Sequence, residues 1–547
     1  MKKFFRKTGV LFISGLLAIS SFGIMGSGCG GSVADDEQTL QVYAWQAGFG
    51  IQWVLDTLDA FKDEPWVKEK YGDVNIESPV FNDNQNFTVD RVSAGEVNTI
   101  DLFFSESTQG LFGTKYILDI TDSVYNSEVP GEGILYKDKM YKSFYESCLF
   151  ENKSGEKRNY YTPCWGGAGG IVYNATLFQN LGFDVPNTTD ELIDVCSKVH
   201  GFNGQKPGYP YTYSLTGSKI DYFYSYVSPI WWAQYEGVDE YYNYYNGIAD
   251  GIANNVQVVY QNGRKEALKV METLYSPDTG YYNQKSPNYE FMVGQSNLLM
   301  GQGLFMGNGN WFANEMREIN QGYRDIGYDY EFGFMKTPVI SAITDKTPSV
   351  VSTANSLNMT KDELLSAIID EIDVGAEVSS YFDDGVTEED YEFIRKARGV
   401  VYSLGANSMA VIPAYATGKD LAIDYLRFLA TDKGISIYMK ATGGANTVFN
   451  YNVKSLNSDE YKDYDKISKD VIDIFEYKDL QILPFPSNFP LVRYGGFNML
   501  APGLNGISTL FSTAAYTADS LFEAVVDYWT ANGNEKWENA LSLAGLA

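Results

Sequence analysis

Side chains capable of chemistry are plentiful in this sequence, but few are spaced to act together. His200 is the single histidine. That count excludes His-Glu-x-x-His zinc sites and multi-histidine metal centres. A Ser–His–Asp triad would have to use His200, which stands at the end of a predicted helix before Gly201, where a cationic ring complements the helix dipole. Ser154-Gly-Glu-Lys157 has the Ser-x-x-Lys spacing of a nucleophile and its base, yet it lies in a charged turn rather than opening an apolar helix. No Gly-x-x-x-x-Gly-Lys-Ser/Thr loop occurs, and Gly301-Gln-Gly303-Leu-Phe-Met-Gly307 has one residue too many for a dinucleotide fingerprint. Asn82-x-Asn84-x-Asn86 has calcium-like spacing, but Phe87 stands where such a loop needs glycine. The 70 Asp and Glu residues offer many carboxylate pairs, the machinery of a sugar-cleaving enzyme, and nothing in the sequence selects one pair. No catalytic residue, resident metal or cofactor is expected.

The composition narrows the field further. The 547 residues carry 41 Lys and Arg against the 70 acids, a formal charge of −29, which argues against nucleic acid as a partner. With 44% apolar and 20% charged residues the chain is ordinary globular material. At about 150 residues per domain it allows three or four domains or two large lobes. The unusual quantity is aromatic: 42 Tyr, 32 Phe and 9 Trp.

Residues 1–28 read as an export signal, with Lys2, Lys3, Arg6 and Lys7 ahead of the apolar run Val10 to Met25. The following Gly26-Ser27-Gly28-Cys29 resembles a bacterial lipobox, with Gly26 where an aliphatic residue is usual. The resemblance implies lipidation and cleavage at Cys29, with 29–38 as a polar tether. Cys148, Cys164 and Cys196 are then left, an odd number that implies no full disulfide framework.

The ordered chain should begin with the alternating strand Thr39 to Trp45, followed by a helix with Ile51, Val54, Leu55, Leu58 and Phe61 on its apolar face. Val74 to Phe81 and Ile100 to Phe104 are further strands. Strands alternating with helices predict α/β lobes with largely parallel sheets. Thr188-x-x-Glu191 is a capping box, and Leu192, Val195, Cys196 and Val199 form the stripe of the helix it starts. Residues 202–245 are dense in aromatics, which should mostly pack that lobe with a few at its cleft. Residues 360–400 read as an added acidic helical pair capped by Thr360 and Thr387.

Several segments, in order, resemble extracellular solute-binding protein family 1, the sugar-binding lipoproteins of ATP-driven importers. The strongest runs through Pro163, Trp165, Tyr173-Asn174, Leu177 to Gly182, Pro186 and Thr188-Thr189-Asp190-Glu191-Leu192. Gly303 to Trp311 is similar to the family's Gly-x-Ala-Ala-Met-x-x-x-Gly-x-Trp, with Leu304 and Phe305 in place of the alanines. Ala422 to Asn446, and Ser93-Ala94-Gly95 to Asp101, add two weaker stretches. The resemblance implies an α/β, two-lobed periplasmic-binding-protein-like fold of class II type, with hinge crossovers and an added helical insert. Crossings are expected near Tyr161–Trp165, Met335–Pro338 and Ala430–Gly434. That assigns 39–163 and 338–430, with the insert 360–400, to an N-terminal lobe, and 164–337 and 431–547 to a C-terminal lobe.

The resemblance further implies a carbohydrate bound between the lobes, importer permease subunits as partners, and a monomer held by Cys29 on the extracellular face of the bacterial membrane. A non-sugar solute such as a polyamine, or a sugar-cleaving enzyme, are the alternatives. A sugar presents C–H faces that lie on flat rings and a rim of hydroxyls that need donors and acceptors. Trp311 and Trp165 are the expected platforms by family position, with Trp45 at the end of the first strand and Trp231 or Trp232 next. Gln46, Asn82, Asp83, Ser105, Glu106, Asn308 and Asn310, at strand ends or in glycine loops, are the polar candidates. Arg493 has the fork geometry to bind hydroxyls or a carboxylate.

Overall fold

The computed structural model describes residues 38–546 apart from 46–47, 78, 83–86, 96–98, 106–107, 152–154, 164, 203–212, 406–407, 484–485 and 487–488. The signal, Cys29 and nearly all of the tether therefore lie outside the described residues, as do Gln46, Asp83, Glu106, Cys164 and the side chain of Asn82.

Ten strands carry the architecture: β1 (Val42–Trp45), β2 (Val80–Asn82), β3 (Leu102–Ser105), β4 (Thr162–Pro163), β5 (Ala168–Asn174), β6 (Phe305–Gly309), β7 (Phe332–Met335), β8 (Val400–Ser403), β9 (Met409–Val411) and β10 (Gln481–Leu483). They form two sheets, one in each of two α/β lobes. The first has the order β2-β1-β3-β9-β4; the second has β6-β5-β8-β10, with β7 also paired to β5. In the first sheet β1 is parallel to β2 and β3, as strands alternating with helices predict, whereas β9 runs antiparallel to β3 and β4. In the second, β5 is antiparallel to β6, β7 and β8. The sheets are thus mixed rather than largely parallel, because strands that leave a lobe and strands that return to it lie side by side.

The helix Gln52–Lys62 buries Trp53, Val54, Thr57, Leu58 and Phe61 against the first sheet. The helix Thr189–Phe202 buries its Leu192, Val195, Cys196 and Val199 stripe. At its start Glu191 N–H donates to Thr188 Oγ1 (3.2 Å), while the Glu191 carboxylate accepts from the Asn187 amide (2.7 Å). Burial pushes the Cys148 thiol up to about 11, so it packs as an apolar group.

The crossings differ from two of the three expected. The chain leaves the first sheet at β4 and enters the second at β5, close to Tyr161–Trp165. No crossing follows β7 at Met335–Pro338. Val339 instead bridges to Thr188 in the second lobe. The chain stays there through the helices Pro348–Leu357, Lys361–Asp373 and Glu388–Arg398, and crosses only between β8 and β9. The helical insert therefore packs on the second lobe, not the first. Leu364, Leu365, Ile368, Ile369, Tyr391 and Ile394 share a core with Ile171 and Trp231. Arg398, 5% exposed, pins the insert's end by donating to Asp373 (2.6 Å) and to the Thr337 carbonyl (3.2 Å). The helix Asp432–Thr442, expected beyond the third crossing, remains on the first lobe, where Tyr438 meets Trp53 edge-on at 5.6 Å. The return comes after Thr442, and the helix Lys466–Phe475 then packs on β7, its Asp470 accepting from Phe334 N–H at 2.9 Å.

The three crossings are tied to one another. Gly166 N–H donates to the Asn446 carbonyl (3.0 Å), Leu404 N–H donates to the Gly167 carbonyl (3.0 Å), and the Ser403 hydroxyl donates to the carbonyls of Gly166 and Gly167. The first core also runs past the crossings onto one face of the second sheet, through Val172, Met306, Phe334 and Val401.

Candidate functional site

On one side of the crossings the lobes meet through the loop after β1 and the turn after β6. Trp53 Nε1 donates to the Gly50 carbonyl at 3.1 Å and steadies that loop. From the second lobe, Asn314 Nδ2 donates to the Gly48 carbonyl at 2.7 Å. Phe49 meets Trp165 edge-on, with ring centroids 5.3 Å apart.

Behind this seam lies a row of rings. Tyr222 stacks on Tyr226 (5.2 Å), Tyr226 stacks on Tyr402 (5.5 Å), and its edge faces Trp311 at 5.9 Å and 86°. The row exists because the sheet beneath it is bare at two paired positions. Gly169 of β5 and Gly309 of β6 are partners in register. A Cβ on Gly309 would fall 2.2 Å from the Trp311 indole, and one on Gly169 would fall 2.7 Å from the Tyr226 ring. Only glycine leaves room for rings at that approach.

Four residues beyond Trp311, Glu315 supplies a carboxylate. Gln295 Nε2 donates to it at 3.0 Å. Gln295 is itself buried, and its Oε1 has no hydrogen-bond partner. Burial holds the Glu315 carboxyl above its ordinary value, against the pull of Gln295. Burial, with Glu315 nearby, pushes the Tyr222 phenol up to about 12. Flat rings, a carboxylate acceptor and an amide are the groups a hydroxyl-bearing ring compound requires.

The sequence candidates divide around this site. Trp165 and Trp311 are in it; Trp311 is 8% exposed, covered by the Gly48 loop and by Tyr226. Trp45 is half-buried at the end of β1 against the first core. Ser105 ends β3, buried, and accepts from the Thr88 hydroxyl at 2.7 Å. Four candidates are corrected to structural roles. Trp231 is fully buried, its Nε1 donating to the Pro338 carbonyl at 3.1 Å. Trp232 is packed among Tyr241, Tyr244 and Tyr245 and donates to Gln261. Asn308 is fully buried and accepts from Gly309 N–H. Asn310 accepts from Ala168 N–H and donates to Asn446 Oδ1, both at 2.9 Å, so its amide joins the first and third crossings. Arg493 lies elsewhere between the lobes, its guanidinium 5.1 Å from the Phe150 ring. Tyr222, Tyr226, Gln295, Asn314 and Glu315 were not singled out from the sequence; the signal available for them was the glycine spacing at 166–170 and 307–309. Among the described residues no group of three or more His, Cys, Asp or Glu is arranged to hold a metal ion.

Two sheets joined by three tied crossings, with a ring-lined seam between them, define a class of protein, and the comparisons agree. The chain matches the bacterial extracellular solute-binding protein family over residues 58–363, more than half its length, and belongs to that family. No curated protein matches it significantly. Solved structures of similar fold include RafE in complex with raffinose (13% identity, 90% of this chain, 99% of that chain, TM-score 0.52). A chitin oligosaccharide binding protein is similar at 12% identity over 92% of this chain and 99% of that one, with a TM-score of 0.53. The cyclic alpha-maltosyl-1,6-maltose binding protein of Arthrobacter globiformis is similar at 15% identity over 91% and 99%, with a TM-score of 0.51. No helix among the described residues is long and apolar enough to cross a membrane.

Proposed function

We propose that this protein is the receptor of an ATP-driven importer, tethered through Cys29 to the outer face of the bacterial cell membrane. It binds a carbohydrate between its lobes and passes it, unaltered, to permease subunits. The observation that carries the reading is the row of rings on paired glycines, with Glu315 beside it, at the seam where the lobes meet. The C–H faces of a sugar lie on Trp311, Tyr226 and Trp165, and its hydroxyls pair with Glu315 and Gln295. A hydroxyl left unpaired there would cost about 1–3 kcal/mol, so these polar groups set specificity. Separation of the lobes about the crossings uncovers Trp311, and the loop at Gly48 closes over the occupant. The saccharides carried by the three similar folds support the ligand class. The leader ahead of Cys29 supports export and anchoring.

A thermal-shift screen with raffinose, chitin oligosaccharides and malto-oligosaccharides tests the reading. A ligand at 100 times its Kd stabilises the protein by about 2.7 kcal/mol. Trp311→Ala should remove most of that shift while the variant stays folded, at a cost to binding of about 2 kcal/mol or more. A shift left undiminished in Trp311→Ala rejects this cleft as the site, and a panel without any shift rejects the ligand class.

A further inference from the structure

A second interlobe space lies across the crossings from Trp311. In the second sheet β6, which leads to Trp311, and β10, which leads to Phe489 and Arg493, are opposite outer strands, with β5 and β8 between them. Beyond β10 is a cavity of about 430 Å³. Its first-lobe wall is the end of the helix Lys142–Ser147 and the short strands Phe150–Glu151 and Lys157–Arg158. Its second-lobe wall comes from the helices Val238–Asn246, Pro490–Gly495 and Ala518–Ala544. Phe489 stacks on Tyr245 at 5.5 Å and faces the edge of Tyr242 at 5.9 Å. The Arg493 guanidinium of the second lobe lies over the Phe150 ring of the first. Among the described residues, the charged side chains lining the cavity are Glu146, Glu151, Lys157 and Arg493, two of each sign.

We propose that this cavity is a second binding site, separate from the cleft at Trp311, for an uncharged ring compound bearing hydroxyls, of one or two sugar units. The volume falls within the ordinary range of small-molecule pockets, roughly 300–1,000 Å³. Phe489, Tyr242 and Phe150 give flat apolar faces. Guanidinium and ammonium groups donate to hydroxyl oxygens while carboxylates accept from hydroxyls, and the balanced signs give no preference for a charged guest. Because the two walls belong to different lobes, the site is complete only at certain lobe angles. The site is defined by the cavity's own lining alone and is independent of the sugar-receptor reading of the other side.

Saturation-transfer NMR and calorimetry on the full chain, with glucose, maltose and raffinose as probes and phenylalanine as a zwitterionic control, test it. Ala544→Trp fills the cavity from the last turn of the C-terminal helix, and Tyr242→Ala removes a ring from its wall. The expected result is a saccharide site weakened at least tenfold by both variants and unaffected by Trp311→Ala. If it appears beside a second site that Trp311→Ala abolishes, both readings hold. If it appears alone, this inference stands and the cleft at Trp311 is not the sugar site. A single saccharide site lost in Trp311→Ala and kept in Ala544→Trp and Tyr242→Ala overturns the inference and leaves the receptor reading intact. Binding of phenylalanine but no saccharide in the cavity also overturns it, and absence of any saccharide site overturns both.

Discussion

The rings around Trp232 and the rings around Trp311 are made of the same residue types and differ in what lies behind them. Trp232, Tyr241, Tyr244 and Tyr245 are packed within the second lobe, 1% exposed or less, with Arg264 inserted 4.8 Å from the Tyr244 ring. Trp311 has bare backbone at Gly309 on one side and the opposite lobe's Gly48 loop on the other, and Tyr226 beside it rests on bare backbone at Gly169. A ring enclosed by its own lobe contributes stability. In the receptor proposed above, a ring resting on glycine and covered by the other lobe offers a surface to the ligand. On that proposal the described rings between residues 213 and 245 divide between two tasks, and the backing decides which task each ring has.

Four substitutions break or sharpen that contrast. The largest effect belongs to Trp232→Ala, which should cost about 3–5 kcal/mol in denaturant unfolding while leaving sugar affinity per folded molecule unchanged. Lost affinity with intact stability would reverse the assignment of the two groups. Gly309→Val should act the other way. Its branches enter the space of the Trp311 indole, so affinity by calorimetry falls tenfold or more, against an overpacking cost of about 1–3 kcal/mol.

Glu315→Gln should affect both properties in opposite directions. The Glu315 carboxyl is raised above its ordinary 4.5, with burial as the main cause. The folded state then holds that proton more tightly than the unfolded state. Stability is lost as the pH rises from below 4.5 through the raised value. The variant should therefore melt higher than the parent at neutral pH and equal it well below pH 4.5, as scanning calorimetry across pH would read. In sugar binding it should lose a charged acceptor, at about 1.5–3 kcal/mol. The smallest effect is expected from Asn314→Ala, which removes the hydrogen bond from its side-chain amide to the Gly48 carbonyl. At about 0.5–1.5 kcal/mol it should weaken binding roughly two- to tenfold, mainly through faster dissociation in stopped-flow.

Local features were legible in the sequence where the cause is local. The stripe at Leu192, Val195, Cys196 and Val199 and the caps at Thr360 and Thr387 follow from periodicity and hydrogen-bonding chemistry within a few residues. The lobe of the helical insert was not legible, because nothing in an amphipathic helix says which sheet its stripe will cover; the bridge between Thr188 and Val339 decides it. Asn308 and Asn310 look like ligand groups in a glycine loop. Whether an amide faces a cleft or a neighbouring backbone depends on pairing with β5, nearly 140 residues away. Glu315 carries no special mark among 70 acids until Tyr222 and Gln295 are folded beside it.

The placement of β9 between β3 and β4 has a consequence for how the molecule is made. The strand that completes the first sheet is synthesised long after its two neighbours. At roughly 5–20 residues per second, the edge of β3 waits some tens of seconds for it. Until then the N-terminal half lacks a finished sheet on which to collapse. A nascent chain that cannot settle early remains open, the state that the export proposed above would require.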